Sequence, residues 1–500
     1  MRAAARWAAL VALYLASRLV ALTALPMFLD ERIHLRWAFW LTQGRRLRLP
    51  FISGRGLSVW LLATVAPHAD DPLWAGRLLT VAVGLVTMIA CHRLALRASG
   101  DRRVADLTAL FYIACPFTLF YDRMVLTDSF LACFTALTLL VSLRVATEPR
   151  TPTGLALGLV VALGILSKTT GLVLLAIPVL AVVLVGRDRA RVIRPLLAAY
   201  AVAIAISAYP LWLFFRKTDE LSSAMGVRDN ETSFTGNAAA NLRLAAEWLW
   251  TYWTPGLAAL ALVGLVAALR RRELARPSLL LAAVAVAPTV AFVAVSEIWY
   301  PRYLLFTTVP MLPLAAAGLV WIIDGLAGAA RLGSGAAALA GAAALLAVLV
   351  PALRFDLALW TDPAQAPLSG LDRFQYVTGW PSGYGLRDSV AFLTRERARH
   401  PSGLLVVTPG PSTTASAVRL LSTRDPAIDV RYVDPAGSDT PATLARASGG
   451  RAVFIVVSRI EGTDLPPGWT TEVTPAFSSF KPDGAAADVV YRACPEAPCR

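Results

Sequence analysis

The chain has 500 residues, 57% of them hydrophobic and only 16% charged, with a formal net charge of +14. Soluble domains carry about 25% charged residues, so this composition excludes a string of soluble domains and defines a polytopic membrane protein. The basic residues sit in short clusters between apolar runs, as cytoplasmic loop anchors do, and no nucleic acid is expected as a partner.

The first apolar run, Trp7 to Met27, follows basic residues and precedes no small-residue cleavage site. It reads as a retained first span with a cytoplasmic N-terminus. About eleven runs are long enough to cross the hydrocarbon core, at 7–27, 75–96, 104–121, 128–146, 154–167, 170–186, 194–215, 248–269, 278–296, 303–323 and 335–353. The fifth and sixth share a stretch of about thirty residues and are read as two short spans meeting at Lys168. A single span there would send "GRDRARVIR" and "LRRRELAR" outward, against the positive-inside rule. Every Arg-rich loop then falls on the cytoplasmic side. The opposite face receives Phe28 to Leu73, "YDRMVLTD", Lys168, the loop Arg216 to Glu247, "SEIWYPRY" and everything after Leu353.

Beyond Leu353 the composition turns polar, with short β-branched runs ("GLLVVT", "IDVRYV", "RAVFIVVS", "ADVVYR") between helical stretches such as "LRDSVAFLTRERAR". The expected organisation is an α-helical transmembrane catalytic domain over 1–353, with an external first loop at 28–73, and an extracytoplasmic α/β domain over 354–500. Cys91, Cys115 and Cys133 read as buried thiols. Cys494 and Cys499 bracket "PEAP" in the polar tail, where a small disulfide loop and two free thiols are both open.

Charges at the edge of hydrocarbon are costly and mark functional sites. The external face gathers Asp30, Glu31, His34, Arg55, Arg77, Arg123, Asp128, Lys168 and Arg302. A lone Arg there is often a snorkelling anchor, but an adjacent Asp-Glu pair gains little from anionic headgroups. Carboxylates beside cations describe a site for an anionic, membrane-embedded ligand plus a group that accepts a proton from an incoming hydroxyl or amine, which is a transferase design. The rival reading is a transporter of an anionic or lipid-linked substrate, which calls for charges near the midplane and paired inverted repeats. Neither is visible in this sequence.

At these residues the sequence resembles the membrane glycosyltransferases of the C-type (GT-C) fold, relatives of the protein O-mannosyltransferases and the aminoarabinose transferase. "LDERIH" resembles the family's first-loop Asp-Glu motif, "AGRLLTVAVGL" the Arg-containing start of the second span, "DRMVLTDSFL" the mannosyltransferases' Arg-x4-Asp segment, "LGILSKTTG" the Lys turn and "YPRYLLFTTVP" the late Arg-Tyr segment. "LPFISGRGLSVWLLA" resembles a loop that usually reads Lys-Pro-Pro-Leu, with Arg55 in place of Lys and Gly-Leu in place of Pro-Pro. The resemblance implies inverting transfer of one sugar from a polyprenyl-phosphate donor to an extracytoplasmic lipid, glycan or protein. It makes Asp30 the general base, Glu31 its support and Asp128 a second acid, with Arg123, Lys168, Arg302 and Arg55 binding donor phosphate. It also places the protein in the inner (plasma) membrane.

His34, three residues after Glu31, shares a helical face with it, and a divalent metal is a possible but not a required cofactor. "FQYVTGWPSGYGLRDS" reads either as a loop whose Tyr376, Trp380 and Tyr384 stack on or cap substrate, or as a tight turn with Gly383 and Gly385 at positive φ. No Walker loop, Gly-x-Ser-x-Gly or zinc-finger spacing is present, so nucleotide-sugar use is not expected.

Overall fold

The computed structural model describes residues 2–216, 238–296, 299–329, 334–409, 413–422, 425–458, 464–496 and 498–499. Most of the expected external loop between Arg216 and Glu247, and part of "SEIWYPRY", lie outside them. The helices are α1 (Arg2–Leu19), α2 (Leu29–Thr42), α3 (Leu49–Ile52), α4 (Gly56–Ala63), α5 (Pro72–Ser99), α6 (Arg102–Ala114), α7 (Pro116–Tyr121), α8 (Thr127–Thr147), α9 (Thr151–Ser167), α10 (Ala176–Val185) and α11 (Arg189–Arg216). They continue as α12 (Ala238–Trp248), α13 (Thr254–Leu269), α14 (Arg272–Val295), α15 (Leu305–Ala329), α16 (Ser334–Thr361), α17 (Gly370–Arg373), α18 (Leu386–Arg399), α19 (Thr413–Leu421) and α20 (Pro441–Ala447). Two compact units emerge: one from Met1–Leu22, Gln43–Leu62 and Gly76–Ser369, the other from Thr23–Thr42, Ala63–Ala75 and Gly370–Arg500.

The first unit is helical, and the chain crosses the membrane several times. Among the described residues seven helices are long and apolar enough to span, corresponding to the expected runs that begin at 75, 128, 194, 248, 278, 303 and 335. The other expected spans are shorter or broken: α1 stops at Leu19, short of the expected Met27, and the rest break at two points. Pro116 forces Cys115 into an extended conformation (φ −70°, ψ 122°), which splits the run at 104–121 into α6 and α7. At Lys168 the backbone is extended (φ −158°, ψ 135°) and a 3₁₀ turn, Thr169–Leu175, intervenes before α10. α9 packs on α11 through Gly154 and Gly158, where any Cβ would overlap the carbonyls of Pro195 and Ala199. α16 runs through to Thr361, past the expected change at residue 353, and carries the buried Asp356 (1% exposed) within it.

The second unit is built on a five-stranded sheet in the order β2-β1-β3-β5-β4, with β1 (Leu404–Pro409), β2 (Ile428–Val433), β3 (Ala452–Ser458), β4 (Val473–Phe480) and β5 (Ala486–Ala493). β2, β1 and β3 are parallel; β5 runs antiparallel to β3 and to β4. Alternate residues of β1 serve two cores. Leu404 and Val406 pack with Leu393 of α18 and Val418 of α19, while Leu405 and Val407 pack with Trp469 and Leu444 of α20. Burial on both faces explains why this strand reads as an unbroken apolar run. β4 is the strand that sequence patterning missed. It is a sheet edge, mostly exposed, and carries Pro475 beside a register shift, which only an edge tolerates. Cys494 and Cys499 are joined by a disulfide.

Candidate active site

The expected site residues divide between the units: Arg55, Arg123, Asp128, Lys168 and Arg302 in the first, Asp30, Glu31, His34, Tyr376, Trp380 and Tyr384 in the second.

In the first unit, Asp128 sits in the first turn of α8 and Lys168 at the end of α9, so two helices present opposite charges at one end of the bundle. Lys168 Nζ donates to Asp128 Oδ1 at 2.5 Å, with the side chains 14% and 5% exposed. The ammonium also lies 4.0 Å from the centroid of the Tyr303 ring. Arg302, 6% exposed, stacks over Tyr300 at 4.3 Å and approaches Tyr303 at 5.6 Å. Lys168 feels the positive charge of both Arg302 and Arg55. Arg55 is brought here by the turn before α4, where Thr169 Oγ1 donates to the Gly54 carbonyl at 3.4 Å. Gly54 has φ +69°, and a Cβ would overlap Thr169, so only glycine serves here. The result is three cations, one carboxylate and two aromatic rings at a helix end, an arrangement suited to holding a phosphate.

Arg123 is placed differently from its neighbours. Its Nη2 donates to the carbonyls of Val20 (2.7 Å) and Ala21 (2.6 Å), and Arg77 Nη1 donates to Leu22 at 2.9 Å. Together they hold the chain leaving α1, where Ala21 adopts φ +50°. The guanidinium is nearly buried, and its Nη1 has no hydrogen-bond partner among the described residues. Beneath it lies a buried network that sequence reading did not single out. Arg18 Nη2 donates to Tyr112 O at 3.0 Å, and Arg18 Nε lies 3.8 Å from Asp122 Oδ2. Asp122 Oδ2 accepts from the hydroxyls of Tyr14 (3.3 Å) and Tyr112 (3.0 Å). The available signal was an Arg inside one run read as a span and an Asp one residue beyond another, each costly to bury unless paired.

In the second unit Glu31 is fully buried and accepts the backbone N–H of Phe28 at 2.9 Å, the reciprocal half of a capping box at the start of α2. Asp30, its neighbour in the first turn, is half-buried. The aromatic-glycine segment packs directly on this turn. Leu29 N–H donates to Pro381 O at 3.0 Å, Arg32 Nη2 to the same oxygen at 3.3 Å, and the rings of Phe28 and Tyr376 are 4.6 Å apart. Gly383 does not have the positive φ one reading expected; it is glycine because a Cβ would strike the Met27 backbone. Gly385 does have it, at +87°, just ahead of α18. Tyr376 is buried, Tyr384 half-buried, and Trp380 is 46% exposed. His34 is buried, 6.1 Å from the Trp37 ring. Among the described residues no three His, Cys, Asp or Glu side chains form a metal-binding group.

This architecture is the C-type glycosyltransferase fold of membrane enzymes, carried here on a multi-pass chain. The structure of ArnT from Cupriavidus metallidurans in the apo state matches over 99% of each chain with a TM-score of 0.60 and 17% identity. The same protein bound to undecaprenyl phosphate matches over 99% of each chain with a TM-score of 0.59 and 16% identity. The oligosaccharyltransferase AglB from Archaeoglobus fulgidus, in complex with an inhibitory peptide and a dolichol-phosphate, matches over 96% of this chain and 74% of its own, with a TM-score of 0.53 and 12% identity. Residues 57–214 match the family described as dolichyl-phosphate-mannose-protein mannosyltransferase. No curated protein matches the sequence.

Proposed function

We propose that the protein is a membrane glycosyltransferase that moves a sugar from a polyprenyl-phosphate donor to an extracytoplasmic acceptor, with inversion. The observation that carries this reading is the Asp128–Lys168 pair with Arg302 and Tyr303, since Asp128 and Lys168 lie inside the segment that matches the mannosyltransferase family. Lys168, Arg302 and Arg55 bind the donor phosphate, and the unpartnered Nη1 of Arg123 contributes a further donor. Asp30 takes the proton from the attacking acceptor, which converts a weak nucleophile into a strong one as the phosphate leaves. Glu31 fixes the turn that carries Asp30, Asp128 holds Lys168 in place, and the segment bearing Tyr376, Trp380 and Tyr384 forms the acceptor side. The chain sits in the inner (plasma) membrane with its N-terminus cytoplasmic and the sheet-bearing unit outside, in keeping with the Arg-rich loops. Nothing in the comparisons favours a transporter.

The test is to incubate purified protein with a panel of polyprenyl-phosphate sugars and envelope extracts, and to identify the product by mass spectrometry. A glycosylated acceptor formed only with a lipid-linked donor is the expected result. Movement of intact donor across a proteoliposome membrane, with no new glycosidic bond, would overturn the proposal.

A further inference from the structure

Asp128 opens α8 and Thr147 closes it, so its two ends lie about 30 Å apart, the thickness of a bilayer core. At the Thr147 end is a cavity of about 640 Å³, lined by Arg97, Thr147, Arg187, Arg272 and Arg276 among others. That volume falls within the range of about 300–1,000 Å³ typical of small-molecule sites. A second hollow continues it, sharing Arg187 and Arg276 and adding the apolar Val183 and Leu184. Arg97 is satisfied by Glu148 at 2.5 Å and Thr147 at 2.7 Å. Among the described residues, the side chains of Arg187, Arg272 and Arg276 make no ion pair or hydrogen bond. Of the acids on the walls, Asp188 lies 3.2 Å from Arg191, which leaves Glu273 as the local counter-charge. Arg272 and Arg276 stand one turn apart on α14, where like charges repel. The N-terminus of that helix has no side-chain cap, so its N–H groups add to the positive potential.

We infer that this cavity binds the phosphodiester headgroup of an anionic glycerophospholipid from the leaflet at that end, with the acyl chains lying against Val183 and Leu184. Phosphate oxygens relieve the Arg272–Arg276 repulsion and accept from Arg187. A cavity at the membrane–water boundary with an apolar flank fits a lipid better than a free anion. The site is separate from the donor-phosphate cluster at the opposite end of α8, and its occupation does not depend on the transfer reaction.

The full-length protein is reconstituted in phosphatidylcholine nanodiscs doped with phosphatidylglycerol, and retained lipid is counted by native mass spectrometry. Phosphatidylglycerol is retained in preference, and R187A/R272A/R276A lowers that retention roughly tenfold or more. R102A/R144A/R194A removes the same charge from the same end without touching the cavity, and keeps retention within about twofold. Should the first triple variant fail to fold, R276Q alone gives an intermediate loss. Equal losses in both triple variants, no preference for phosphatidylglycerol in the unaltered protein, or saturation by inorganic phosphate without lipid retention would each overturn the assignment.

Discussion

Breaking the Asp128–Lys168 pair tests whether it is one unit. The carboxylate is 5% exposed and the ammonium 14%, at 2.5 Å, so neither charge can recover full hydration when the other is removed. Lys168→Met strands Asp128 in a nearly dry site, and Asp128→Leu leaves Lys168 facing Arg302 and Arg55 uncompensated. Each single change should cost about 3–5 kcal/mol, roughly two orders of magnitude or more in the folding equilibrium. The double change Lys168→Met with Asp128→Leu removes both charges and keeps the volume, so it should recover all but about 1 kcal/mol. Unfolding in mixed micelles, followed by tryptophan fluorescence, gives the four corners of the cycle. Sugar transfer should be lost in all three variants, because the repaired core has no ammonium for the phosphate. If the double variant loses the sum of the two single losses, the pair is not coupled and its assignment as the organising contact of the phosphate cluster is wrong.

Asp30→Asn should lower turnover by about 10² to 10⁴ with donor binding retained, and near-normal turnover in a folded variant would remove Asp30 as the base. Glu31→Gln keeps an oxygen for the Phe28 N–H and should be milder than Glu31→Ala, in both stability and turnover; the reverse order would contradict the capping role. Arg123→Ala should lower stability by about 1.5–3 kcal/mol through loss of its carbonyl bonds, and should weaken lipid-donor binding measured in nanodiscs. For topology, Asp388 on α18 is exposed, so a cysteine there should label from outside and one at Arg271 from inside; Ser382, only 2% exposed, is a poor reporter. Burial alone would raise the Asp429 pKa, but hydrogen bonds and charge from Arg431 and Arg451 outweigh it and hold the carboxyl below its usual range. The contribution is therefore present above the unfolded carboxylate pKa, about 3.9, and is lost as pH falls through the lower folded value. Asp429→Asn should flatten the acid limb of the stability profile of the sheet-bearing unit, and an unchanged limb would refute the linkage.

The charged residues at the ends of apolar runs were legible because burying a charge is expensive. Asp128 and Lys168 stood out for that reason, and the structure pairs them. Glu31 stood out as an acid at the end of an apolar run, but its bond to Phe28 depends on the helix beginning at Leu29, which periodicity fixes only to within a few residues. Arg18, Asp122 and Asp356 were missed. Each sits within or just beyond an apolar run, where a lone charge reads as snorkelling or as the end of a span, and only the packing of α1 against α6 brings Arg18 and Asp122 together. β1 and β3 announced themselves through two-sided burial, whereas β4 spends most of its residues on solvent. The break at Cys115 was written in Pro116, but hydropathy counts residues and not backbone hydrogen bonds.

The sheet-bearing unit is discontinuous in the chain. α2 packs against α19, and the turn at Asp30 rests on Pro381 and Gly383, yet the stretch Gly76–Ser369 is synthesised between these partners. At about 5–20 residues per second, α2 leaves the ribosome on the order of tens of seconds before the segment that covers it exists. The turn carrying Asp30 therefore cannot be completed until Pro381, Gly383 and α19 have been made. A chain cut at Ser369 would keep the seven long apolar helices of the described residues and Asp30 itself without ever finishing that turn.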